Sequence, residues 1–145
     1  MDMKRLVIGT IVGGITLHAV GYLIFDVAIA DYYIANRATP SAFRDVPMQW
    51  ALALGNLALG TLITLGVLIR GSAPTLAGGF VVGAVIGFLT WFHVDFVLYS
   101  YTNLWNFPIP IVDPLLEIVH AGVTGAVIAA VLARVPAGAA IRTAS

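Results

Sequence analysis

Apolar positions fall into four long runs separated by short polar stretches: Leu6–Ala30, Met48–Ile69, Leu76–Tyr99 and Leu115–Ala133. A helix needs ~20 apolar residues to cross ~30 Å of hydrocarbon. Lipid leaves backbone polar groups only two spanning solutions, helices or closed barrels, and continuous runs of this length mean helices. The pattern predicts an all-α polytopic membrane protein, a single domain built as an antiparallel bundle of four transmembrane helices. The first run follows Lys4-Arg5 and ends near Ala28-Ile29-Ala30, which has the look of a leader and its cleavage site. It is longer than the ~7–15 apolar residues of a leader and carries His18 and Asp26, so a retained helix is expected.

Chain-breaking residues set the expected boundaries. Pro47 opens the second helix. Ser72 and Pro74 open the third after a short turn, so the second and third form a tight antiparallel pair. Asp113-Pro114 reads as an N-cap followed by proline at the first helical position. The loop Asn103–Val112 brings Trp105, Phe107 and Pro108 together and is expected to fold over the bundle mouth as a lid. The tail Ala137–Ser145 is expected to be flexible. Small residues recur every four positions: Gly9 and Gly13, then Gly79, Gly83 and Gly87, then Ala121 and Gly125. This spacing lets helices approach closely, either inside the bundle or across a homodimer face.

Composition agrees with the pattern. The chain has 145 residues, 60% hydrophobic and 10% charged, against about 25% charged in soluble domains. A formal net charge of zero suggests no nucleic-acid partner. The lack of cysteine removes disulfides, thiolate metal sites and CxxC redox chemistry. Lys4, Arg5, Arg70, Arg134 and Arg142 fall on one side of the bundle, Arg37 and Arg44 on the other. The richer side is expected to be cytoplasmic, with both termini there. Tyr32, Tyr33, Trp50, Tyr99, Tyr101 and Trp105 then gather at the outer interface.

The polar residues inside the runs carry the candidate chemistry. His18, Tyr22 and Asp26 are four apart, on one drifting face of the first helix. Gln49 and Asn56 share a side of the second. Trp91, Asp95 and Tyr99 share a side of the third, with His93 turned nearly opposite to Asp95 at ~100° per residue. On the fourth, Glu117, His120 and Thr124 form a polar stripe, because positions three and four apart are neighbours. At ~1.5 Å rise per residue, His18 and Asn56 lie near mid-membrane, and Asp26, Gln49, His93, Asp95, Asp113, Glu117 and His120 lie in the outer half. The inner halves are aliphatic and small. A polar cavity in the outer half is therefore expected, above a packed apolar plug.

Asp26, Asp95 and Glu117 have no Lys or Arg among the runs to pair with, and ionisable groups at such depth are costly enough to imply a purpose. They can stay protonated against the histidines and tyrosines, pair with Arg37 or Arg44 folded back, or bind a cation. The leading expectation is a pocket for a lipophilic small molecule, converted by acid–base chemistry. Glu117, His120, Asp95 and His18 are the catalytic candidates; Asp26, Tyr22, Asn56, Trp91, Tyr99 and His93 are the ligand-binding ones. No cofactor is assigned. The alternatives are a metal or haem held by His18, Glu117 and His120, and an accessory or scaffold subunit of a larger membrane complex. Proton-coupled transport ranks last, because the inner half offers no polar path.

The run Gly13-Gly14, His18-Ala19-Val20-Gly21-Tyr22-Leu23-Ile24-Phe25 and the later Val112-Asp113-Pro114 resemble small four-helix bacterial membrane proteins of unknown function. That resemblance implies a bacterial inner-membrane location and supplies no catalytic residues.

Overall fold

A computed structural model describes residues 2–70 and 74–136. Ser72, Arg142 and the tail 137–145 lie outside the described residues. Four helices are long and apolar enough to cross a membrane: Met3–Ala28, Gln49–Ile69, Leu76–Tyr101 and Pro108–Leu132. The chain is an all-α four-helix bundle and a multi-pass membrane protein. The first span is α1 (Met3–Gly21) continued by a π-helical stretch, Tyr22–Ala28. A short α2 (Ala30–Ala35) and a 3-10 turn, Pro40–Ala42, follow it. Then come α3 (Gln49–Ile69), α4 (Leu76–Tyr101) and α5 (Pro108–Leu132).

Local chemistry starts these helices. The Asp2 carboxylate accepts the Arg5 N–H at 3.2 Å, and the Thr75 hydroxyl accepts the Gly78 N–H at 3.1 Å, each satisfying an orphan first-turn donor. The fourth span departs from expectation. Asp113 is not its N-cap: α5 begins at Pro108, so Asp113 is inside the helix, 8% exposed. Pro108 and Pro110 occupy the first turn, where a missing N–H costs no intrahelical bond. Only Pro114 forfeits one, which a packed transmembrane helix tolerates.

The bundle is held by backbone-to-backbone approach. α4 lies along α5 and α1 along α3, with α1 also against α5. Gly83 rests on the Ala121 carbonyl, Gly79 on the Gly125 carbonyl, and Gly60 on the Gly14 N–H. Any Cβ there would overlap a neighbour's backbone. These glycines are buried between helices of one chain, so the four-residue repeats are packing seams inside the bundle. Beside the seams sits a small core of Ile63, Val67, Ala121, Ile128, Ala129 and Leu132. Val7, Ile11 and Ile15 on α1, Val81, Val85 and Leu89 on α4, and Ile111, Leu115 and Val119 on α5 remain exposed at four-residue spacing. These stripes face outward, as lipid contact requires. At one end Arg5 donates to the Leu132 carbonyl at 3.2 Å and finishes α5.

The opposite end is closed by two loops bonded to each other. Ala38 N–H donates to the Leu104 carbonyl and Asn106 N–H to the Asn36 carbonyl, both at 2.9 Å. Arg37 and Trp105 form an antiparallel bridge between them. The expected lid is thus a two-part cap.

Candidate functional site

Below this cap lies a cavity of about 540 Å³, walled by all four spans and both loops. α3 and α4 touch where Gly66 faces Val82 and Ile86. Nearer the cap they stand apart, and the cavity occupies the gap. α1 and its π-helical extension supply Leu17, His18, Gly21, Tyr22, Phe25 and Asp26; α3 supplies Gln49, Leu52 and Asn56. α4 supplies Trp91, Asp95 and Leu98; α5 supplies Asp113, Glu117 and His120; the cap adds Tyr33 and Trp105.

The π-helical stretch shapes one wall. Four α-helical residues overshoot a turn, whereas four residues of the wider π-helix fall short of one. The drift from His18 to Tyr22 is therefore undone from Tyr22 to Asp26. All three side chains end on the cavity, and all three are exposed.

The centre of the site is α5. Glu117 is 1% exposed and His120 6%. One helical turn apart, they meet with His120 Nδ1 at 2.9 Å from Glu117 Oε1. On its other side, His120 Nε2 is 2.9 Å from the Leu17 carbonyl oxygen on α1. A carbonyl only accepts, so Nε2 carries a hydrogen and donates it. The Nδ1–Oε1 contact therefore holds one further proton. It lies on Glu117 in a neutral pair or on Nδ1 in an ion pair, and moving between the two is a short transfer along one hydrogen bond. The ring reaches Leu17 because Gly21 has no side chain: a Cβ there would stand 3.2 Å from Nε2. Phe25 presents its edge to the ring, centroids 5.5 Å apart.

A second acidic pair sits beside the first. Asp113, one turn before Glu117 on the same face, accepts a hydrogen bond from the Tyr33 hydroxyl. Asp95 reaches across from α4 to share a hydrogen bond with Asp113. A hydrogen bond between two carboxyl groups needs at least one proton on the pair. Burial pushes the Tyr33 hydroxyl above the usual tyrosine range, and the adjacent Asp113 charge pushes it further. Tyr33 is thus a fixed neutral donor. The second oxygens, Asp95 Oδ2 and Glu117 Oε2, are buried with no hydrogen-bond partner.

The cap packs on this cluster through rings. Tyr33 meets Phe25 and Trp105 edge-on, each at 5.7 Å between centroids. Trp105 lies 4.6 Å from Phe43, and the Arg37 guanidinium covers the other ring contact of Phe43 at 4.7 Å. Arg37 is therefore spent on an aromatic face and does not fold back onto a carboxylate.

Of the residues expected at the site, Glu117, His120, Asp95, His18, Asp26, Tyr22, Asn56 and Trp91 all border the cavity. His93 and Tyr99 do not: His93 is exposed on the far side of α4, and Tyr99 packs on Phe107 at 5.6 Å between centroids. Tyr33, Trp105 and Asp113 were read from the sequence as interface, lid and cap residues. Only Asp113 carried a signal for the site, its position four before Glu117. Both His120 nitrogens are engaged, and no three His, Asp or Glu side chains group as metal ligands among the described residues. No protein-family model, curated protein or solved structure matches the chain.

Proposed function

We propose that this chain binds a lipophilic small molecule in the cavity beneath the cap and offers it the Glu117–His120 pair as an acid–base couple. One observation carries the reading: Asp95 and Glu117, each with a buried carboxyl oxygen that has no partner, are among the residues lining a cavity whose remaining wall is mostly apolar and aromatic. A volume of about 540 Å³ lies in the ~300–1,000 Å³ range of small-molecule sites, which pair apolar walls with a few convergent polar groups. A shared proton on one short hydrogen bond suits general acid–base catalysis of isomerisation, cyclisation or hydrolysis. In this reading Glu117 exchanges the proton with the ligand, His120 holds the complementary charge, and Asp95 is the second carboxyl. Tyr22, Trp91 and Asn56 position the body of the molecule.

The location we propose is a bacterial inner membrane with the cavity in the outer half. Lys4, Arg5, Arg70 and Arg134 share one end of the bundle and Arg37 and Arg44 the other, and the richer end belongs in the cytoplasm. The test is extraction of the purified protein followed by mass spectrometry, on wild type and Glu117→Gln. A stoichiometric lipophilic mass that Glu117→Gln loses or leaves unconverted supports the reading. Protein that is empty from native membranes but retains a fixed partner subunit would sink it and favour the accessory-subunit alternative.

A further inference from the structure

The cavity has an unbalanced inventory of charge and hydrogen bonds. Asp95 and Glu117 are 4% and 1% exposed, and each keeps one oxygen without a donor. No Lys or Arg borders the cavity. Arg37 of the cap lies over the Phe43 ring.

The imbalance is one of donors. His120, the basic group beside these carboxyls, already uses Nδ1 on Glu117 Oε1 and Nε2 on the Leu17 carbonyl, and the Tyr33 hydroxyl is taken by Asp113. Asp95 Oδ2 and Glu117 Oε2 are left without donors, and a buried polar oxygen without a partner is costly. What would satisfy them is a group that brings N–H donors, and among acidic side chains a positive one is favoured. Facing the same space, Trp91, Trp105 and Tyr22 supply the ring faces that attract cations. A carboxylate or phosphate would be repelled, and an acceptor-only carbonyl would leave both oxygens unpaired.

Resting on the proposed lipophilic pocket, we infer its ligand class: a protonated amine on an apolar body. The ammonium sits between Asp95 Oδ2 and Glu117 Oε2, and the body lies against Trp91, Trp105 and Leu52.

The experiment uses the full chain in lipid nanodiscs with three probes of one carbon skeleton: phenylbutylamine, phenylbutanol and phenylbutanoate. Binding is read by tryptophan fluorescence and calorimetry, with empty nanodiscs subtracted for partitioning. The amine is expected to bind at least about tenfold tighter than the alcohol, as hydrogen bonds to charged groups imply, and the acid is expected to show no saturable binding. Asp95→Asn is expected to lower amine affinity about tenfold and leave the alcohol unchanged. Should that variant not fold, the wild-type ratio among the three probes still decides. Alcohol or acid binding as tightly as the amine would overturn the amine inference and leave the lipophilic pocket standing. Saturable binding of none of the three would overturn the pocket itself.

Discussion

His120 donates through Nε2 to the carbonyl oxygen of Leu17, 2.9 Å away and 103 residues earlier in the chain. This bond fixes the tautomer of the ring, ties α5 to α1, and hands the remaining nitrogen to Glu117. It exists because Gly21 leaves room for an imidazole edge.

Filling that room should disturb the ring. A Cβ at Gly21 would stand 3.2 Å from Nε2 and 3.4 Å from Cε1, tight enough that the ring must shift. Gly21→Ala is expected to weaken the Leu17 bond, and Gly21→Val to break it at a cost of about 1–3 kcal/mol for a buried donor left unpaired. Nitrogen NMR of the imidazole would check this. Retention of the wild-type Nε2–H signal in Gly21→Val would contradict the arrangement.

Glu117 and His120 should differ in what their loss does. In Glu117→Gln the amide can still donate to Nδ1, so stability is expected to stay within about 1 kcal/mol of wild type, while proton exchange with any ligand stops. His120→Ala leaves both Leu17 and Glu117 without their partner and opens a void, costing about 2–5 kcal/mol. Thermal unfolding in detergent would separate the two. Equal losses would show that the pair is only a packing contact.

Two glycine substitutions give opposite expectations. At Gly83 a new methyl group would run into the Ala121 backbone, with the Gly122 Cα only 3.2 Å off. Gly83→Ala is expected to cost about 1–3 kcal/mol by overpacking and to loosen α4 from α5. At Gly55 nothing lies within 4 Å, and Gly55→Ala is expected to be neutral or to gain up to about 1 kcal/mol in helix propensity. A destabilised Gly55→Ala with an unaffected Gly83→Ala would mean the seam is misplaced.

Tyr33 makes an alkaline prediction. Its hydroxyl is pushed up by burial and by Asp113, so the folded chain keeps a proton that the unfolded chain releases near about pH 10. The folded state then binds more protons, and the stability from this group is full below that pH and lost as pH rises through it. Tyrosinate absorbance should read the same amplitude through the ordinary range in wild type and Tyr33→Phe. Tyr33→Phe should also flatten the alkaline decline in melting temperature. A smaller amplitude in the variant would show that Tyr33 titrates freely.

Much of the fold was legible because long apolar runs leave lipid-embedded backbone little choice but helix. His18, Asp26, Asn56, Asp95, Glu117 and His120 gather by depth, since helix rise converts position into height, and Tyr22 and Trp91 follow from sharing a helix face with them. Facing is harder. His93 sits at the right height and is turned away, and Tyr99 packs on Phe107 instead of the cavity. Asp113 reads locally as a cap because Asp-Pro is a strong capping signal, and nothing local shows that Pro108 and Pro110 have already begun the helix. The π-helical stretch leaves no mark in composition. Phe25 within it packs on Tyr33 and His120, contacts made only in the folded bundle. The Tyr33–Asp113 bond joins residues 80 apart in the chain, a separation no local pattern can bridge.

The seams and the cavity occupy different lengths of the same helices. Gly13, Gly60, Gly79, Gly83 and Gly125 lock one portion by backbone contact, while Leu52, Trp91, Leu98 and Tyr22 wall the other. Substitution in the wall spares the lock, and substitution in the lock cannot tune the wall. Natural selection therefore has a chassis with a replaceable head: descendants of this chain can reshape the cavity by exchanging a few wall side chains without renegotiating how the helices meet.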